Sequence, residues 1–184
     1  MRSYIVWGID ISTNTGLYIV RYQGGVVTRL KCLTITHPPH ERPIDRARKF
    51  GSDIIPYLTE LPPDLIMVEG YAMGAKGMST AIIEVSALIK FTLAAKGYDW
   101  IEIPPSNLKM FVYNKGNGAK SLMLKEVFKR FDIDVTDDNQ ADAGALCMMG
   151  CNLLGMDNVP ETHLRAWDKI RPHADYVRAL ETLL

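Results

Sequence analysis

"YIVWGIDISTNTGLYIV", residues 4–20, decides how this chain is read. An apolar run ends in Asp10, passes through small polar residues, and gives way to a second apolar run after Gly16. The pattern predicts two buried strands, over 4–9 and 16–22. A carboxylate at the end of a buried strand is costly unless a cation sits beside it. Either Asp10 is only a turn residue, or the rest of the chain supplies that cation.

Working outward, Gln23-Gly24-Gly25 is a hairpin signal leading to a third strand over 26–35. Ala47, Phe50, Ile54 and Leu58 recur at helical spacing between Ile44 and Leu58. After Pro62-Pro63, "DLIMVEG" (64–70) reads as a short buried strand ending in Glu69. A helix is expected over 78–96, then a strand in "YDWIEIPP" (98–105) that two prolines stop. A basic, Gly-punctuated segment follows, with helices over about 119–131 and 139–154. The tail, 156–184, has helical periodicity in "ADYVRALETLL". A strand meander followed by β-α units predicts an α/β fold, a mixed five-stranded sheet with helices on both faces.

At 184 residues the chain suits one domain with a real core. Its 21 basic and 21 acidic residues balance, which argues against a generally basic nucleic-acid coat. Local charge is uneven. Lys109 to Arg130 holds six Lys or Arg against Glu126 alone, and Asp132 to Asp142 holds five Asp with no basic residue. A basic stretch feeding an acidic pocket suits phosphodiester chemistry. Cys32, Cys147 and Cys151 form neither a disulfide framework nor a paired zinc pattern, and the last two read as core thiols. With no signal-like start and no bilayer-length apolar run, a cytoplasmic protein off the membrane is expected.

Asp10 and Glu69 each close a predicted buried strand, and Asp142 lies at the start of an apolar helix behind Asp137 and Asp138. Strand carboxyl ends line the site crevice of open α/β sheets. Two adjacent strands under one helix would bring three or four carboxylates together. Such a cluster repels itself without divalent cations, and hard oxygen ligands suit Mg²⁺ or Mn²⁺. Taken singly, each has an ordinary reading: Asp10 a turn, Glu69 a strand-end charge, Asp138 a helix cap. Asp142 resists one, because the helix after it is apolar nearly all round.

Four stretches in order, "GIDISTNTG" (8–16), "IMVEGYAMGAKG" (66–77), "PPSNLKMFVYNKGNGAKSLM" (104–123) and "DNQADAGAL" (138–146), resemble the RuvC family of Holliday-junction resolvases, especially its shorter phage-type members. The resemblance implies an RNase H-like fold, with residues 1–155 as the nuclease domain and 156–184 as its C-terminal helical extension. It implies two Mg²⁺ or Mn²⁺ ions held by Asp10, Glu69 and Asp142, with Asp138 or Asn139 completing the set. It places Lys109 and Lys120 near the scissile phosphate. Tyr71 would be an aromatic near the junction centre, and Lys76 and Lys115 further DNA contacts. The implied activity is metal-dependent hydrolysis that resolves four-way DNA junctions by paired nicks from a homodimer, with the helix over 78–96 a candidate interface. A phage-encoded member would act in the host cytoplasm.

Three departures bear on substrate range and metal affinity. Ile11-Ser12 replaces the family's Pro-Gly, Asn139 stands where the fourth ligand usually lies, and the tail has no clear counterpart. The alternatives are a nuclease of the same fold acting on flaps, forks or RNA, a small sugar-kinase- or actin-like phosphotransferase, and a non-catalytic DNA-binding subunit. The phosphotransferase needs a second phosphate loop and a duplicated domain, for which 184 residues leave no room. Asp138 is favoured over Asn139 on charge, since a carboxylate holds a hard cation better than an amide.

Overall fold

The computed structural model describes residues 2–12, 14–36, 42–71, 80–118 and 120–183. Strands β1 (Ser3–Asp10), β2 (Asn14–Gln23) and β3 (Val26–Thr36) form the meander. The two-residue turn between β2 and β3 requires positive φ at both Gly24 (58°) and Gly25 (86°), which glycine adopts without strain. Strands β4 (Leu65–Glu69) and β5 (Ile101–Ile103) complete one sheet of order β3-β2-β1-β4-β5. β4 runs parallel to β1, and β5 parallel to β4.

Strand alternation sorts side chains into two cores. Trp7, Ile9, Leu17, Ile19, Ile66 and Val68 face helices α1 (Pro43–Glu60) and α2 (Thr80–Ala95), meeting Phe50, Ile54, Leu58 and Ile89. Val6, Tyr18, Val20, Leu65, Met67, Ile101 and Ile103 face the other way, onto α3 (Pro105–Tyr113), α4 (Lys120–Phe131) and α5 (Asp138–Leu153). Helix α5 is buried because it lies over the middle of the sheet, and its small residues let it lie close. A Cβ at Gly8 would stand 2.0 Å from the Ala143 carbonyl oxygen, and one at Gly150 2.6 Å from Val6 Cγ1. Cys147 and Cys151 are buried in this core, and the Cys147 thiol lies 3.1 Å from the Tyr18 carbonyl oxygen.

Two expectations are corrected. The strand expected over 98–105 is only Ile101–Ile103, because Pro105 does more than stop it. It opens α3, a helix the charge pattern obscured; proline is tolerated there because its missing N–H needs no partner in the first turn. Asp142 is the fifth residue of α5 rather than its start, since Asp137 caps the helix from outside and accepts the Asn139 N–H. The helix expected over 78–96 is described from Thr80 onward.

Residues 156–183 pack into the same core as α5. After α6 (Glu161–Leu164) and a 3₁₀ turn (Arg165–Trp167), α7 (Ala174–Leu183) lies along β5. Trp167 is buried and donates from Nε1 to Asn152 Oδ1 at 3.0 Å. Asn107 Nδ2 donates to the Ala166 carbonyl at 2.7 Å, and buried His163 lies 2.7 Å from the Phe111 carbonyl, so the tail is tied to α3. Asp175 accepts the Glu102 N–H at 2.8 Å, satisfying a donor of the edge strand. Among the described residues, no helix is long and apolar enough to cross a membrane.

Candidate active site

The parallel register places Ile9 opposite Val68, so Asp10 and Glu69 follow side by side at the carboxyl ends of β1 and β4. Both continue the row that faces α5. On the other flank Asp10 pairs with Gly16 of β2, and a Cβ at Gly16 would stand 2.1 Å from the Asn139 carbonyl oxygen. The first turn of α5 therefore sits against β2 directly beside Asp10. Asp138 and Asp142, one helical turn apart, share a face of that helix.

Asp10 is only 5% exposed. Burial pushes its carboxyl well above the usual range, and the neighbouring Glu69 adds to this by charge and by a shared hydrogen bond. Asp142 and then Asp138 push in the same direction. Three carboxylates from two other elements thus act on Asp10. Among the described residues, no three His, Cys, Asp or Glu side chains close into a ligand shell around one point. The arrangement is a set of repelling neighbours whose charge a hard cation would compensate, and its oxygen donors fit Mg²⁺ or Mn²⁺.

The polar residues after Asp10 tie their loop to the start of α5. Ser12 Oγ donates to the Asn14 carbonyl at 2.8 Å and lies 3.3 Å from Asn139 Oδ1. Buried Thr15 donates to the Ser12 carbonyl at 2.8 Å. Asn139 Nδ2 in turn donates to Asp137 Oδ1 at 2.8 Å. From β3, Thr34 donates its hydroxyl to Asp137 Oδ2, and Gln140 Nε2 donates to Thr34 Oγ1 at 3.1 Å. Burial raises the Asp137 carboxyl, but hydrogen bonds from the Thr34 hydroxyl, the Asn139 N–H and amide, and the Gln140 N–H outweigh it and hold it low. The loop docks the start of α5 and thereby sets Asp138 and Asp142.

Helix α3 carries Lys109, half-buried, and Tyr113 one turn later on the same face. Tyr113, which sequence reading passed over, has its hydroxyl pKa raised by burial and then by the Asp142 charge. Lys115 is exposed in the loop between α3 and α4. Lys120 is the first residue of α4, and Lys76 lies outside the described residues. Tyr71, two residues beyond Glu69, is half-buried, with the Lys90 ammonium 4.5 Å from its ring centre. It borders a cavity of about 450 Å³ lined also by Trp100, His173 and Arg178, so the tail helix flanks this side of the site.

A mixed sheet of this order, with carboxylates at the ends of its first and fourth strands and on the helix crossing them, has the RNase H-like architecture. No protein-family model matches the chain. It is 25% identical over 150 residues to the crossover junction endodeoxyribonuclease RuvC of a Synechococcus strain, covering 79% of this chain and 96% of that protein. RuvC of Prochlorococcus marinus is 24% identical over 148 residues, with the same coverage. In structure it is similar to Thermus thermophilus RuvC bound to a Holliday junction substrate (TM-score 0.70, 18% identity, 85% of this chain, 98% of that one). The yeast mitochondrial Holliday junction resolvase aligns with 96% of this chain and 83% of its own length, at TM-score 0.54 and 11% identity. The RuvC-family resemblance and the RNase H-like fold are both borne out.

Proposed function

We propose that this chain is a metal-dependent endonuclease that resolves four-way DNA junctions by paired nicks. One observation carries the site: Asp10, buried at the end of β1, is surrounded by Glu69, Asp142 and Asp138 and pushed toward protonation by all of them. Gathering three further carboxyls around a buried one in a sheet crevice makes physical sense where divalent cations bind. The similarity to RuvC over nearly the full length of those relatives supports junction DNA as the substrate.

In this reading Asp10, Glu69, Asp142 and Asp138 hold two divalent ions, with Asn139 a secondary ligand. Such ions supply a nucleophile at neutral pH and stabilise the leaving oxygen of a phosphodiester. Asp138 is favoured over Asn139 because a carboxylate holds a hard cation better than an amide, and the Asn139 Oδ1 lies within reach of the Ser12 hydroxyl. Lys109 and Lys120 stabilise charge on the phosphate, while Lys76, Lys115 and Tyr71 contact DNA. Residues 156–184 act as an integral part of the nuclease domain, fastening α3 and bordering the Tyr71 side of the site.

A four-way junction has two-fold symmetry, which matches a homodimer. On α2, Ile83 (43% exposed), Ala87 and Phe91 (70% exposed) recur at four-residue spacing as an exposed apolar stripe on the sheet face away from Asp10. That stripe is the interface in this reading. The decisive experiment incubates the protein and Mg²⁺ with labelled junction, flap, duplex and RNA–DNA hybrid, and maps the cuts. Symmetric paired nicks confined to the junction are expected. Preferential cutting of flaps would move the substrate to other branched DNA, and activity in chelator would overturn the metal site.

A further inference from the structure

Tyr113 closes α3 with its ring in the core beneath α5, and the residue is 8% exposed. Its hydroxyl is buried and has no hydrogen-bond partner, the one such side-chain atom among the described residues. Phenylalanine would fill the same core space without leaving a polar group unpaired, so the hydroxyl works against the fold as it stands. Its surroundings are restrictive. A Cβ at Gly118 would stand 2.7 Å from the Tyr113 hydroxyl oxygen and 2.9 Å from Cε2, so a bare backbone covers one side of the phenol. Gly118 does not have the positive φ that glycine is kept for, so the missing side chain serves the room the phenol needs. Helix α3 packs on α5, the helix that carries Asp142, and after burial the Asp142 charge is what raises the hydroxyl pKa.

We infer that Tyr113 is a positioning residue whose hydroxyl donates a hydrogen bond to the Asp142 carboxylate when that carboxylate takes up a divalent cation. The inference rests on the metal-site reading above. A carboxylate has several acceptor lone pairs, so one oxygen can hold a cation while the other takes a further donor, and outer donors that fix a ligand's orientation strengthen binding. Tyr113 supplies such a donor from a helix anchored by the tail, and it touches neither the cation nor the DNA. The hydroxyl stays un-ionised throughout and only donates its hydrogen bond.

The test compares wild type with Tyr113→Phe in two measurements over the same Mg²⁺ and Mn²⁺ titrations: thermal unfolding, and single-turnover junction cleavage. In chelator the variant should unfold at the same or a higher temperature, because the change removes an unpaired buried hydroxyl. The metal concentration for half-maximal thermal stabilisation should rise about tenfold, and that for half-maximal cleavage should rise in parallel. A purely structural role would lower the unfolding temperature in chelator and leave the metal midpoints in place, and either result overturns the inference. Wild type stabilised by metal, with a variant of identical midpoint, removes this inference alone. Wild type indifferent to metal removes the metal-site reading and this inference with it.

Discussion

At the scale of single residues, Asp10 links stability to function. Its folded-state pKa lies above that of an unfolded aspartate because of burial, then Glu69, Asp142 and Asp138. The folded protein therefore binds the proton more tightly, and the stability this contributes is present below the unfolded carboxylate pKa and lost as pH rises toward the folded value. In metal-free protein this contribution should fade as pH rises from about 4, opposite in sign to that of Asp137, whose carboxyl is held low. Asp10→Asn should abolish cleavage while leaving junction binding, since phosphate contacts supply most of the affinity. In chelator at neutral pH the same variant should melt higher than wild type, by about 3 °C, and scanning calorimetry against pH checks the sign. Retained cleavage would remove Asp10 from the chemistry. The Asp138 and Asn139 alternatives separate the same way. Asp138→Asn should raise the metal concentration for half-maximal cleavage by more than Asn139→Ala does, and the reverse order would make the amide the principal ligand.

At the scale of elements, the close crossing of α5 over β1 and β2 sets the carboxylate geometry. Nothing about Gly8 demands unusual backbone; the Ala143 carbonyl occupies the place its Cβ would take. Gly8→Ala should push α5 off the sheet and cost about 3 kcal/mol, the upper end of overpacking penalties, because the obstruction is backbone and cannot rotate away. Urea unfolding measures the cost. Cleavage should fall further than the loss of folded protein explains, since Asp138 and Asp142 move with the helix. A variant as stable and active as wild type would show that α5 adapts freely. The crossing was only half legible beforehand. The glycines in "GIDISTNTG" were visible, but that they make room for α5 depended on partners more than 120 residues away. Helix α3 was missed because Pro104, Pro105 and the basic, Gly-punctuated run after them read as a loop, when Pro105 stands in the first turn, where its missing N–H needs no partner.

At the scale of the whole molecule, the proposed function gives the two faces of the sheet different work. The α5 face carries the carboxylates, and the opposite face presents the exposed Ile83, Ala87 and Phe91 on α2. Phe91→Asp should yield a monomer in sedimentation equilibrium, with a folded-state melting temperature near that of wild type at low concentration. Junctions should then be nicked singly and out of step, seen as loss of simultaneous cuts in a supercoiled cruciform plasmid. A variant that stays dimeric would place the interface elsewhere.

What the sequence determined by itself was local. Alternating and helical apolar spacing located the five strands and most helices, because burial imposes those periods on the chain directly. The carboxylates at the ends of β1 and β4 were legible for the same reason: a charge that closes an apolar strand stands out against its neighbours. Tertiary structure decided what lies next to what. It moved Asp142 a turn into α5, engaged Asn139 with the Asp137 cap, and set the unpaired Tyr113 hydroxyl near Asp142. It also folded the tail back onto α3 and β5. Each of these depends on contacts between residues far apart in the chain, where periodicity carries no information and only the packing of one element on another fixes the distance.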